Sequence, residues 1–117
     1  MKKALPEADR FEKEAYLRGE REIFVIEGNS MLPVLKSGDC VIVNAALKPE
    51  IGDIILFRHP FIKDLKVVKR VVEITPEGGF RVLGDNLSES TDSRSYGAVP
   101  AKDVLGVAVC RFDGGEK

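Results

Sequence analysis

From residue 22 onward the apolar positions come in short runs rich in Val and Ile, at 22–26, 40–44, 53–58, 65–74, 79–83 and 104–112. Turn-forming residues separate them, at Gly38-Asp39, Pro49 to Asp53, His59-Pro60, Pro76 to Gly79 and Gly97 to Pro100. Runs of this length between such breaks predict the strands of a mainly β body built from hairpins and longer excursions. Glu77-Gly78-Gly79 suits the turn of a hairpin joining the fourth and fifth runs. The N-terminal stretch has another period. Ala8, Phe11 and Ala15 share one narrow stripe, with Leu5 nearby. Pro6 suits a first turn, Glu7 and Asp9 suit the positive end of a helix, and Gly19 suits the residue after its stop. A helix over 6–18 is therefore predicted. The chain divides into an N-terminal helical extension, residues 1–20, and a single antiparallel β domain, residues 21–117. Within the latter, residues 84–100 are polar and carry no strand pattern, and long ordered loops on small domains are often functional.

Composition narrows the setting. A chain of 117 residues suits one domain with a modest core. It is 44% hydrophobic and 32% charged, which is a globular rather than a disordered balance. The formal net charge is −1, without the basic excess that binding a phosphate backbone calls for, so nucleic acid is a poor partner. No apolar run approaches the ~18–20 residues that span a bilayer. The lysines at the start are followed by Leu5-Pro6-Glu7-Ala8-Asp9-Arg10, not by the apolar stretch of a signal peptide, so a cytoplasmic protein is expected. The Phe57 to Ile62 stretch and the N-terminal helix leave room for weak contact with a membrane surface. Cys40 and Cys110 each sit in an apolar strand run, where reduced, buried thiols are expected, although sequence does not exclude a bridge. No cluster of ligand residues points to a metal, and no cofactor is called for.

The chemistry centres on Gly28-Asn29-Ser30-Met31-Leu32-Pro33, between two strand runs. A serine held between a flexible Gly-Asn pair and a Met-Leu-Pro brake has the fixed backbone a nucleophile needs, but serines in Gly-rich turns are mostly structural. It also needs a base. The single histidine, His59, lies between Arg58 and Pro60 with no evident orienting acid. A lysine can serve if burial lowers its pKa. In the 65–74 run, Leu65, Val67, Lys69 and Val71 share one side of an extended strand, while Lys66, Val68, Arg70 and Val72 share the other. Both faces carry valines, so the pattern leaves open which is inward. The 84–97 loop adds hydroxyls that could orient a lysine, and an Asp92, Arg94 pair that could brace it.

The boxes Gly-x-Ser-Met-x-Pro, Gly-Asp-x-Val-x-Val, Gly-Asp-Ile, Lys-Arg-Val and Gly-Asp-Asn-x5-Asp-Ser-Arg-x2-Gly-x-Val stand in that order between about residues 27 and 109. Together they resemble the type I signal peptidase superfamily of serine proteases, whose members use a Ser/Lys dyad. Arg58-His59-Pro60, Gly84-Asp85-Asn86 and Ser90-Thr91-Asp92-Ser93-Arg94 most resemble the nickel-type superoxide dismutase maturation proteases within it. The resemblance implies the signal-peptidase and repressor-protease type of antiparallel β fold. It implies Ser30 as nucleophile, Lys69 as general base, Ser90 as the hydroxyl that orients the lysine, and Asp92 with Arg94 as a brace. Gly28, Asn29 and Met31 fall at the oxyanion hole and cleft. The Ser30 N–H would form half of that hole. Some relatives supply the other half from a hydroxyl two residues before the nucleophile, where this chain has Gly28. The implied partner is a precursor polypeptide, that of nickel superoxide dismutase. Substrates of the wider superfamily carry small residues before the cut, as in Ala-x-Ala.

Three other roles suit the same residues: processing of secreted proteins, self-cleavage of the repressor type, and peptide binding without turnover. Only about twenty residues precede the first strand, too few for a helix-turn-helix domain, which counts against the repressor type.

Overall fold

The computed structural model describes residues 4–113. Residues 1–3 and 114–117, the outer ends of the two expected segments, lie outside the described residues. The chain forms a helix α1 (Arg10–Leu17), five strands β1 (Glu22–Val25), β2 (Asp39–Asn44), β3 (Ile54–Arg58), β4 (Lys66–Ile74) and β5 (Phe80–Leu83), a short helix α2 (Ser93–Tyr96), and a last strand β6 (Val104–Asp113). Each of the six apolar runs is a strand, with boundaries within one residue of those predicted. The strands form one antiparallel sheet in the order β1-β2-β6-β3-β4-β5.

The sheet is buried on both faces. Ile54 and Leu56 of β3 join Ile26, Met31, Leu35, Val41, Val43, Val68 and Ala108 in one cluster. Ile55 and Phe57 join Val71, Phe80, Val82, Val99 and Val107 in a second. Alternate residues of one strand thus feed two cores, which is why β3 reads as an unbroken apolar run rather than an alternating one. The β4–β5 hairpin turns at Gly78 with φ of +86°, a conformation open to glycine and strained for other residues.

The N-terminal helix starts later than predicted. Residues 6–8 are extended and pair with β6: Ala8 N–H donates to the Arg111 carbonyl at 2.9 Å, and Arg111 N–H to the Pro6 carbonyl at 2.9 Å. The helix begins after Asp9, whose side chain accepts from Glu12 N–H at 2.9 Å. An N-cap carboxylate satisfies a donor that Pro6 cannot, so Asp9 and not Pro6 sets the start. Of the expected stripe only Ala15 is fully buried, while Phe11 is 63% exposed. The part-buried Arg21–Glu12 ion pair, at 2.7 Å, ties the helix to the approach to β1.

Candidate active site

Strand β1 leads into a reversal at Gly28, φ +83°, and then into the turn that carries Ser30. Met31, 1% exposed, is sunk in the first core cluster and anchors that turn. Three further contacts fix it. Leu35 N–H donates to the Met31 carbonyl at 2.9 Å, Leu32 N–H to the Asn29 carbonyl at 3.2 Å, and Asn86 N–H to the Ser30 carbonyl at 2.8 Å. The serine side chain sits half-buried at one end of a cleft of about 700 Å³. Phe24 to Glu27 line one wall of this cleft, and Lys66 to Lys69 line the other.

Lys69 lies in the same cleft and is only 5% exposed. It sits opposite Ile55 of β3, on the face that carries the second core cluster; the pattern had left open which face of β4 is inward, and both are buried. Among the described residues no hydrogen bond or ion pair engages its ammonium. Burial pushes its pKa below the ordinary lysine value; the Asp92 carboxylate opposes that shift and the Arg94 guanidinium adds to it.

The 84–97 loop closes the site from the far side. Asp92 is fully buried and acts as its hub. It accepts from Gly84 N–H at 3.0 Å, from the Ser90 hydroxyl at 2.7 Å, and from the Arg94 guanidinium at 2.9 and 3.1 Å. Burial works against its ionisation, but those hydrogen bonds from Arg94, Gly84 and Ser90 win and hold its pKa down to about 2. Arg94 also donates to the Leu87 and Ser90 carbonyls, so one guanidinium ties three parts of the loop together. Ser93 fastens the loop to the sheet, its hydroxyl accepting from Val82 N–H at 2.8 Å.

The site therefore gathers Ser30, Met31 and Lys69 into one cleft, with Ser90, Asp92 and Arg94 linked beside it. Gly28 and Asn29 stand on the approach to the serine. Gly28 N–H meets the Ser37 hydroxyl at 3.4 Å, and the Asn29 side-chain amide donates to Glu89 at 3.3 Å. His59 also lines the cleft, but its Nδ1 accepts from Phe61 and Ile62 N–H at 3.0 and 3.1 Å, so that nitrogen caps the rim loop. Its ring packs on Tyr96 with centroids 4.6 Å apart. Cys40 and Cys110 are both buried, and burial raises the Cys110 pKa to about 11.

Sequence reasoning missed three features. Thr91 and Glu89 line the cleft. A side chain at Gly84 would collide with the Ser90 hydroxyl and the Ser30 carbonyl, so only glycine lets the loop approach the serine turn this closely. Arg70 forms a bidentate pair with Asp85, at 3.1 and 2.7 Å, and donates to the Gly52 carbonyl at 2.8 Å. The Lys-Arg and Gly-Asp-Asn boxes held the signal for that pair, but their partnership depends on the β4–β5 register.

The sequence matches the signal peptidase, peptidase S26 family over residues 20–77 and 73–112. The chain belongs to that family, a family of serine endopeptidases. It is 25% identical to a probable signal peptidase I-1 of Synechocystis, over 74% of this chain and 68% of that protein. It is 29% identical to mitochondrial inner membrane protease subunit 1 of Xenopus tropicalis, over 73% of this chain and 65% of that one. Signal peptidase IB of Staphylococcus aureus is 34% identical over 66% of this chain, which spans 40% of the Staphylococcus protein. Among the described residues no helix is long and apolar enough to cross a membrane.

Proposed function

We propose that this chain is a Ser/Lys-dyad endopeptidase that removes an N-terminal extension from a precursor polypeptide. The observation that carries the reading is a buried lysine, Lys69, which makes no ion pair among the described residues and shares one cleft with the half-buried Ser30. Burial favours the neutral amine, which is the form able to accept a proton. Ser90 gives its own proton to Asp92, which leaves its oxygen free to accept from the lysine. Asp92 and Arg94 hold Ser90 in place.

The chemistry follows from these roles. Lys69 takes the proton from the Ser30 hydroxyl as its oxygen attacks the scissile carbonyl. The oxyanion forms beside the Ser30 N–H, which no acceptor takes among the described residues. Collapse breaks the C–N bond, and the Lys69 ammonium passes its proton to the leaving amine. A water then gives a proton to Lys69 and attacks the ester, releasing the acid and restoring the serine. The cleft suits an extended chain. The open edge of β1 and the part of β4 that β5 does not cover form its two walls, so a bound strand finds backbone partners on them.

The finer reading is that the precursor is that of nickel superoxide dismutase, met in the cytoplasm. Its support is the likeness of the Arg58-His59-Pro60 and Gly84 to Arg94 boxes. The names of the relatives favour the wider reading, processing of secreted proteins. Incubation with each kind of precursor separates the two. Ser30→Ala and Lys69→Ala should each abolish cleavage while leaving the circular dichroism spectrum unchanged. Full activity in either variant contradicts the dyad.

A further inference from the structure

The two walls of the cleft are joined at the end remote from Ser30. Glu22 is the first residue of β1 and Lys66 is the first residue of β4, and their side chains form an ion pair at 3.3 Å. These strands are not neighbours in the sheet, where β2, β6 and β3 stand between them. The pair therefore spans the open groove and not a strand–strand seam. Both strands run from this pair toward the site, β1 to the Ser30 turn and β4 to Lys69. Glu22 shares a face of β1 with Phe24, a wall residue, and Lys66 itself lines the cleft.

We propose that the Glu22–Lys66 pair is a strap that sets how much substrate the groove accepts on the flank lying between β1 and β4. Lys66 precedes Lys69 by three residues, which at about 3.3 Å per residue is roughly 10 Å of extended chain. A substrate at the same rise fits three to four residues before it meets the strap. A longer flank has to part the two side chains or leave the groove sideways. The pair is about half exposed, with side chains 48% and 47% accessible, so opening it costs little, and it acts as a filter rather than a barrier. This inference rests on the proposed peptidase reading of the cleft, and it adds a length selectivity which that reading does not require.

The test uses quenched fluorescent peptides built around an Ala-x-Ala cut. One series is lengthened from three to eight residues before the scissile bond, and a second is lengthened after it. In one series the wild-type enzyme should favour the short peptide in kcat/KM by up to about fivefold, the ceiling for an exposed pair. Glu22→Gln, outside the cleft lining, should remove that preference without changing turnover of the short peptide, and Lys66→Gln should remove the same preference. The double exchange Glu22→Lys with Lys66→Glu should restore it. Moderate salt should mimic the single variants by screening the pair. A short-to-long ratio that the variants and the exchange leave unchanged overturns the strap while the peptidase reading stands. Failure of the wild-type enzyme to cut any peptide of either series counts against the peptidase reading, and the strap falls with it.

Discussion

Lys69 and Arg70 are consecutive residues of β4, both buried, and the fold treats them in opposite ways. Arg70 meets a carboxylate in bidentate geometry and a backbone carbonyl, with side chains at 3% and 1% exposure across the ion pair. Lys69 meets neither hydrogen-bond nor ion-pair partner among the described residues. A buried charge given a partner becomes a strut, because removing either side strands the other in low dielectric. A buried lysine denied one has its pKa lowered by burial, which suits it to the proposed role of base. The residue types match these ends: a guanidinium stays charged and fits a carboxylate fork, whereas an ammonium can be neutralised. Under the proposed dyad, one strand carries a piece of chemistry on one side and a fastening on the other. The fastening matters to the chemistry, since Asp85 lies between Gly84, packed against Ser30 and Ser90, and Asn86, bonded to the Ser30 carbonyl.

The largest effect should come from denying Lys69 its neutral form. Lys69→Arg keeps a cation that cannot give up its proton, and kcat/KM should fall by about 10³-fold or more, as when a member of a catalytic unit is lost. Next is Asp85→Ala, which strands the Arg70 guanidinium. Urea unfolding should show a loss of about 3–5 kcal/mol. Lys69→Met sharpens the contrast, since removing a buried amine that has no partner among the described residues should leave stability unchanged or raise it by about 1 kcal/mol in the same assay. Asp92 contributes through its depressed pKa. The carboxylate is held near 2 against an ordinary 3.8. Its stabilisation, about 2 kcal/mol by linkage, is complete above about pH 4 and disappears as pH falls through about 2. Asp92→Asn should remove that acid dependence from the unfolding midpoint. The smallest effect is at the periphery, where Asp9→Ala removes the α1 cap and should cost about 1 kcal/mol without changing kcat.

The sheet was legible because its strands are short apolar runs bounded by strong turn residues, and β3 betrays burial on both faces by its unbroken Ile54 to Phe57. The start of α1 was not legible, because Pro6 and Asp9 both carry start signals, and only the pairing of residues 6–8 with β6 decides between them. At the site, the Ser30 turn and the hydroxyl-rich loop stood out locally. The place of Lys69 in the cleft did not, since valines occupy both faces of β4, both faces are buried, and residues of both line the cleft. The demand for glycine at position 84 also lies beyond local reading: the atoms it avoids are in residues 30 and 90.

The central claim is that Lys69 works as a neutral base in the folded enzyme, and its titration tests this most directly. Protein carrying lysine labelled with ¹³C at Cε reports each amine by NMR across pH. One resonance, absent in Lys69→Met, should titrate clearly below the ordinary lysine value of 10.5. The acid limb of kcat/KM should share its midpoint, with activity rising as pH rises and that amine loses its proton. A Lys69 resonance that titrates with the surface lysines, or an activity limb that ignores it, would contradict the account.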